Sequence, residues 1–504
     1  MDAARATLAA WREQAPVALE PELLLARLEL KGDRYRAARD RALAAIRERE
    51  CPPELAIEVV NCLRLFAAHD ELISWAGAYT RWREVAPADR ARTAGALSAI
   101  GAMQLARDFA EAAVADAPDE AVCLVNRAML LNYTGQFDAA RVDLERAIGS
   151  AQNPAMAHWL LARLERQSAG SNHVQRLRER IVAAGSDDLD KEYLCFALFK
   201  ELDDLGEFAA AWLALDEGCR RVRQRLAYDG AEREHLFAAL KKRFPLDLRP
   251  PAADHAAVVP IFIVGMHRSG TTLVENMLAS HADVFACGET QRLSGALRYA
   301  ADHYCQALLD EVLVDKAVSI DHRLVGEMFL SEGRSLIDGA RCVTEKMPGN
   351  FQLIGFIRHA LPQAKVIHLR RTPMDLCFAN LRELFADGVS YSYALEDLVH
   401  FHALYEDLMR HWHALYPGFV LDIEYEQLVA EPLTTSRRIF EFCGLDWSPK
   451  VIDPTQWASR SINTLSAVQS RQAPSTSSIG RWKPYASWLA PLREALEGAD
   501  SGSR

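Results

Sequence analysis

The stretch VVPIFIVGMHRSGTTLVENMLAS, residues 258–280, decides the architecture. VVPIFIV is an apolar, β-branched run with no polar break, the pattern of a strand buried on both faces. Gly265, Met266, His267, Arg268, Ser269, Gly270, Thr271 and Thr272 follow as a loop, and LVENMLAS continues with helical amphipathicity. A strand, a glycine-bearing loop and a helix N-terminus aim backbone N–H groups and the positive end of a helix dipole at one point, where an anion, above all a phosphate, is the natural occupant. The glycines let the backbone curl close to the oxygens, and the hydroxyls of Ser269, Thr271 and Thr272 add donors. Thr271 stands where GxxxxGK[ST] requires lysine, which disfavours transfer of the γ-phosphate of ATP. The cation of this loop is Arg268, whose planar fork suits two oxygens of a phosphate or sulfate.

Downstream, KVIHLR at 365–370 and FVLDIEY at 419–425 are further strand patterns separated by longer helical ones. Such alternation predicts a C-terminal α/β P-loop-type three-layer domain with a parallel sheet. The aromatic and histidine-rich segment at 390–416 fits an amphipathic helix with Leu395, Leu398, Val399, Leu404 and Leu408 turned inward, rather than a cofactor box. Upstream, residues to about 245 are rich in Ala, Leu, Arg and Glu and read as nearly all helix. LLNYTGQFDAA around Gly135 has a weaker copy around Gly101, 34 residues earlier, with Ala113 and Ala147 in the same register. Further copies lie near Ala67, Gly32 and Gly206. That period is the tetratricopeptide one, in which small residues let paired helices pack closely; an irregular helical bundle is the alternative. RPPAADHAA reads as a linker. The expected division is therefore a helical repeat domain at 1–248, a linker at 249–257, a catalytic domain at 258–495 and a flexible tail at 496–504.

The net charge of −11 argues against general nucleic-acid binding, so an anion site must be local. The ten cysteines include no CxxC pair, which excludes a zinc ribbon or a dithiol redox motif, and the 15 histidines form no metal-ligand pattern. The first residues lack the apolar run of a secretory signal, and the longest uncharged apolar run, Val258 to Met266, is about half a membrane span. A cytoplasmic protein without a membrane span or a metal is expected.

PIFIVGMHRSGTTLVENMLASHADVFACGE resembles the sulfotransferase superfamily, and within it the tyrosylprotein sulfotransferases and the bacterial repeat-containing sulfotransferases. Its front part is similar to the 5′-phosphosulfate loop of that family, with His267 where the family usually has proline. KVIHLRRTPMDLCFAN resembles the 3′-phosphate element, with Arg371 as the implied ligand; Ala379 replaces the usual serine, leaving that hydrogen bond missing or supplied by Asn380 or Arg382. Three later pieces also match: YEQLVAEP with Tyr425 facing the nucleotide, TLSAVQS with Ser466 at the 3′-phosphate, and SSIGRW with Arg481 as a cation. The resemblance implies 3′-phosphoadenosine-5′-phosphosulfate (PAPS) as donor, PAP as product and no metal. It implies a pocket of Gly265, Arg268, Ser269, Gly270, Thr271, Thr272, Arg371, Tyr425, Ser466 and Arg481. Glu289, 21 residues after Arg268, is the implied general base, and Lys346 in TEKMPGN, helped by Arg268, the implied stabiliser of the leaving oxygen. The resemblance and the repeats favour a hydroxyl on a protein or peptide as acceptor, with carbohydrate, lipid and phenolic acceptors open. The repeats bind a protein partner or form a homodimer. The competing functions are a P-loop kinase or nucleotide hydrolase, and a non-catalytic nucleotide-binding adaptor.

Overall fold

The computed structural model describes residues 2–15, 17–185, 188–244, 258–337, 339–385, 387–457, 460, 468 and 471–501. The expected linker at 249–257 and Ser466 lie outside the described residues.

From Asp2 to Arg243 the described chain is helical and pairs consecutive helices: Glu20–Lys31 with Tyr35–Glu48, Ala56–Leu65 with His69–Ala78, Pro87–Ala99 with Met103–Asp116, Ala121–Tyr133 with Phe137–Gly149, and Asp188–Leu205 with Phe208–Leu226. Each turn holds one left-handed residue, respectively Asp33, Ala67, Gly101, Gly135 and Gly206. The first four positions are spaced 34 apart. Their hydrogen bonds are also the same. Gly101 and Ala102 donate to the carbonyls of Ser98 and Leu97, Gly135 and Gln136 to Asn132 and Leu131, and Ala67 and Ala68 to Arg64 and Leu63. This is how a helix satisfies the last carbonyls that have no intrahelical donor. Five residues further on, Ala38, Leu72, Ala106, Ala140 and Ala211 are fully buried, and four of the five are small enough to let the second helix approach closely. The N-terminal part is thus a tetratricopeptide-like array. In the first copy the left-handed position belongs to Asp33, one residue beyond Gly32, whose φ is an ordinary −90°.

The C-terminal part is built on five strands: β1 (Val259–Gly265), β2 (Val284–Ala286), β3 (Cys342–Glu345), β4 (Lys365–Arg370) and β5 (Val420–Glu424). They pair in parallel in the order β2-β3-β1-β4-β5. The three strands expected from sequence are β1, β4 and β5. β2 and β3 have only three and four residues, too short for a periodicity to be read, and they exist because β1 offers β3 a partner and β3 in turn offers one to β2. Alternate residues of β1 feed two cores, as a doubly covered sheet requires. Ile261 and Ile263 pack with Val274, Met277, Phe440 and Trp457. Phe262 and Val264 join a core that holds Phe351 and Trp412 and also Phe196, Phe199, Leu215 and Phe237 from the helical part.

The helix Leu395–Leu415 buries Leu398 and Leu408, while Leu395, Val399 and Leu404 are partly buried against the same core. The last helix, Ala490–Ser501, carries buried Leu492 and Leu496, so the segment expected as a tail from 496 is helical to Ser501. Across the sheet, the chain leaves β1 for one edge, returns through β3 and crosses to β4 on the other side of β1. The crevice at the carboxyl ends of β1 and β4 is therefore the topological switch point, where open parallel sheets bind ligands.

Candidate active site

The loop after β1 is curled by three left-handed residues, Gly265 (φ 152°), Arg268 (φ 64°) and Gly270 (φ 105°). Gly270 precedes the helix Thr271–Ala279, and a Cβ on it would lie 2.5 Å from the Tyr425 ring. A Cβ on Gly265 would lie 2.6 Å from the Leu369 carbonyl. Both glycines are therefore demanded by close approach as well as by φ. The first N–H groups of a helix have no intrahelical acceptor, and here they open onto the switch point. Ser269 Oγ is buried and has no hydrogen-bond partner among the described residues, which suits a donor meant for an anion.

The loop is braced from behind. Asn380 Nδ2 donates to the His267 carbonyl (2.8 Å) and to the Leu376 carbonyl (2.9 Å). The His267 ring, bonded through Nδ1 to the Tyr391 hydroxyl at 2.9 Å, is half-buried beside Phe385 and Tyr391, and the loss of solvent around it lowers its pKa to about 4. Where the family prefers a proline, a neutral imidazole thus fills an aromatic niche. Asn380 is committed to the loop backbone, and Arg382 is anchored through one arm of its fork to Asp203 at 3.0 Å.

Arg371, just past the end of β4, lies 4.8 Å above the Tyr425 ring and donates to the carbonyls of Arg268 (3.0 Å) and Ser478 (2.8 Å). Its buried Nε has no partner among the described residues. The Tyr425 hydroxyl meets Ser478 Oγ at 2.6 Å, and Gly480 N–H donates to Asp375 Oδ1 at 2.8 Å. The loop, Arg371, Tyr425 and the segment carrying Arg481 therefore converge. Arg268 points its Nε toward Glu383 (3.6 Å), a buried carboxylate that also pairs with Arg163 of the helical part. Burial lowers the pKa of both Arg268 and Arg371 from the usual guanidinium value; arginine keeps its charge nonetheless.

Glu289 and Lys346 form an ion pair in which the lysine side chain is 1% exposed and the carboxylate 39%. The turn carrying Glu289 is held on every side. Glu275, one turn into the helix after the loop, accepts from Gly288 N–H (3.1 Å) and Thr344 Oγ1 (2.7 Å). Lys346 N–H donates to the Gly288 carbonyl at 2.9 Å. Glu345 accepts from Thr290 Oγ1 and from Arg292 Nη2 (3.0 Å). Burial pushes the carboxyls of Glu275 and Glu345 above their usual range. Neither residue was anticipated from sequence. The available signal was a glutamate on the otherwise apolar side of LVENMLAS, and it points to burial without naming a partner.

Among the described residues, His368, His413 and Asp422 bring possible metal-ligand atoms together. Asp422 Oδ1 accepts from His368 Nδ1 (2.8 Å) and His413 Nε2 (3.0 Å), and His368 Nε2 meets the Tyr405 hydroxyl. These donors and acceptors already satisfy one another. The grouping joins β4, β5 and the long helix, so no local spacing announces it.

Residues 260–449 match the model of the Sulfotransferase family. An "Uncharacterized protein" of Aquifex aeolicus (strain VF5) is 29% identical over 319 residues, covering 60% of this chain and 41% of that protein. Protein-tyrosine sulfotransferase A of Caenorhabditis elegans is 24% identical over 214 residues, covering 40% of this chain and 54% of that protein. The chain thus spans about half the length of the curated relatives it matches, or less. The sulfotransferase domain from the Synechococcus PCC 7002 olefin synthase superposes with a TM-score of 0.35 at 18% identity, covering 50% of this chain and 98% of that one. The family match begins in β1 and takes in the curled loop, the Glu289–Lys346 pair and Arg371, so residues 260–449 are similar to the sulfotransferase family and follow a helical N-terminal region.

Proposed function

We propose that this protein transfers a sulfuryl group from PAPS to an acceptor hydroxyl by in-line displacement and releases PAP. One observation carries the proposal: the loop with a buried Ser269 hydroxyl that has no partner among the described residues, flanked by Arg268 and Arg371, stands braced through Glu275 to the turn that presents Glu289 against Lys346. The loop amides of Gly270 to Thr272, the hydroxyls of Ser269, Thr271 and Thr272, and Arg268 would hold the 5′-phosphosulfate. Arg371, Arg481 and Tyr425 would hold the 3′-phosphate and the nucleoside, with Ser466 joining them as the family resemblance implies.

PAPS supplies the activated sulfuryl group; the chain's residues do the rest. Glu289, the exposed member of its ion pair, is placed to accept the proton of an acceptor hydroxyl. Lys346, buried and held by its backbone N–H and its side chain, presents fixed positive charge to an oxygen that becomes negative as its bond to sulfur breaks. A preorganised cation of this kind loses nothing to solvent reorganisation. No step draws on a metal.

The similarity to protein-tyrosine sulfotransferases supports a protein or peptide hydroxyl as acceptor. The 34-residue array supports a protein partner or a second copy bound along the repeats. In this proposal residues 1–248 are the repeat unit, 258–495 the transferase unit, and the cytoplasm the location. Among the described residues no helix is long and apolar enough to cross a membrane.

The test is calorimetry with PAP and ATP, followed by incubation with labelled PAPS and tyrosine-containing peptides. The expected result is PAP binding tighter than ATP, with PAP release and a gain of sulfate on the peptide. ATP binding well above PAP would replace the proposal with a kinase or hydrolase.

A further inference from the structure

Asp203 belongs to the helical part, near the end of the helix Asp188–Leu205, yet its partners belong to the other part. Its buried carboxylate accepts from Arg481 Nη2 at 2.8 Å, Arg382 Nη2 at 3.0 Å and the Tyr485 hydroxyl at 2.7 Å. Two of those partners, Arg481 and Tyr485, lie in the segment Ser478–Tyr485. The front of that segment is fastened to the cofactor side of the sheet through Arg371 on the Ser478 carbonyl, Tyr425 on Ser478 Oγ and Asp375 on Gly480 N–H. Its back is fastened to the helical part through Asp203, and the Tyr485 ring sits among Phe199, Phe208, Trp212 and Phe378. The segment is therefore a strap between the switch point and the array.

Charge decides what the strap is for. One carboxylate faces two guanidiniums, while the adjacent Asp204 is taken up by Lys200 at 2.7 Å. A surplus positive charge remains on the Arg481 side, and the Arg481 side chain is 46% exposed with one arm of its fork anchored. An exposed arginine normally loses rotamer freedom when it closes on a phosphate; one held in place has already lost it.

We infer that Asp203 is a positioning residue of the cofactor pocket, by which the helical array holds Arg481 ready for the phosphate on the 3′ side of the donor. The inference rests on the PAPS reading and adds to it a role for the array that needs no bound partner.

The test uses the full chain and titrates PAP and 5′-AMP, which lacks the 3′-phosphate, into wild type, Asp203→Asn, Arg481→Ala and the double variant. Asparagine keeps the size of the side chain and an acceptor for Tyr485. Asp203→Asn is expected to weaken PAP by about tenfold, the scale of one hydrogen bond to a charged group, while AMP affinity changes less than about threefold. In the Arg481→Ala background the same substitution is expected to cost PAP little, as a shared pathway requires. Unchanged or tighter PAP binding by Asp203→Asn overturns the inference. So does an equal loss of PAP and AMP with a lower unfolding temperature, the mark of a purely structural role. Wild type that fails to bind PAP overturns the functional proposal and this inference together, whereas wild type that binds PAP beside an unaffected variant removes the inference alone.

Discussion

Glu289 and Lys346 hold each other across opposite environments, the lysine sealed in the protein and the carboxylate at its edge. Replacing either partner therefore has two effects, on chemistry and on a buried charge. Glu289→Gln is expected to lower turnover by roughly 10²–10⁴-fold, the range for a lost general base, while PAP affinity stays within a few-fold; single-turnover sulfate transfer beside calorimetry measures both. Lys346→Met removes the buried charge along with the cation, so its turnover should fall by about 10²–10³ with a smaller loss of stability than Glu289→Gln, as read by urea unfolding. His267 makes a separate prediction. Its folded pKa, about 4, lies below the unfolded value near 6.5, so the unfolded chain binds the extra proton between them. Its stabilising contribution is complete above about pH 6.5 and is lost as pH falls toward 4, with a ceiling on the order of 3 kcal/mol. His267→Asn should flatten that part of the stability profile; an unchanged slope would refute the assignment.

At the scale of elements, the site loop and the repeat turns follow one rule: left-handed backbone where a helix begins or ends. Gly270→Ala combines an unfavourable φ with a 2.5 Å collision against the Tyr425 ring. It should cost about 1–3 kcal/mol and abolish measurable PAP binding. Gly206→Ala faces open space and carries only the cost of its φ of 77°, about 1 kcal/mol in chemical unfolding. These features were legible in sequence because each is local: the loop lies between a strand and a helix pattern, and the first four turns recur every 34 residues. Strands β2 and β3 were not legible, because three or four residues become a strand only when a neighbour supplies the ladder. Ala67 shows the converse. A non-glycine residue holds the left-handed turn there, which composition alone argues against and the repeat register enforces.

Over the whole molecule, one apolar core runs from Ala155 to Leu496, taking Phe196, Phe199 and Phe237 from the helical part and Phe262, Phe351 and Trp412 from the sheet part. Residues 258–504 expressed alone should expose that surface and aggregate or unfold, while the full chain should unfold these parts in a single calorimetric transition; two separated transitions would show that the shared core does not couple them. By itself the sequence determined what is written in spacing: the strand before the anion loop, the 34-residue helical period, and the residues a family pattern aligns. Only the tertiary structure decided that Glu275 braces the turn of Glu289, that Asn380 serves the loop backbone, and that Asp203 holds Arg481 from 278 residues away. Those pairings depend on buried charges finding complementary groups across distant parts of the chain, and such complementarity leaves no period to read.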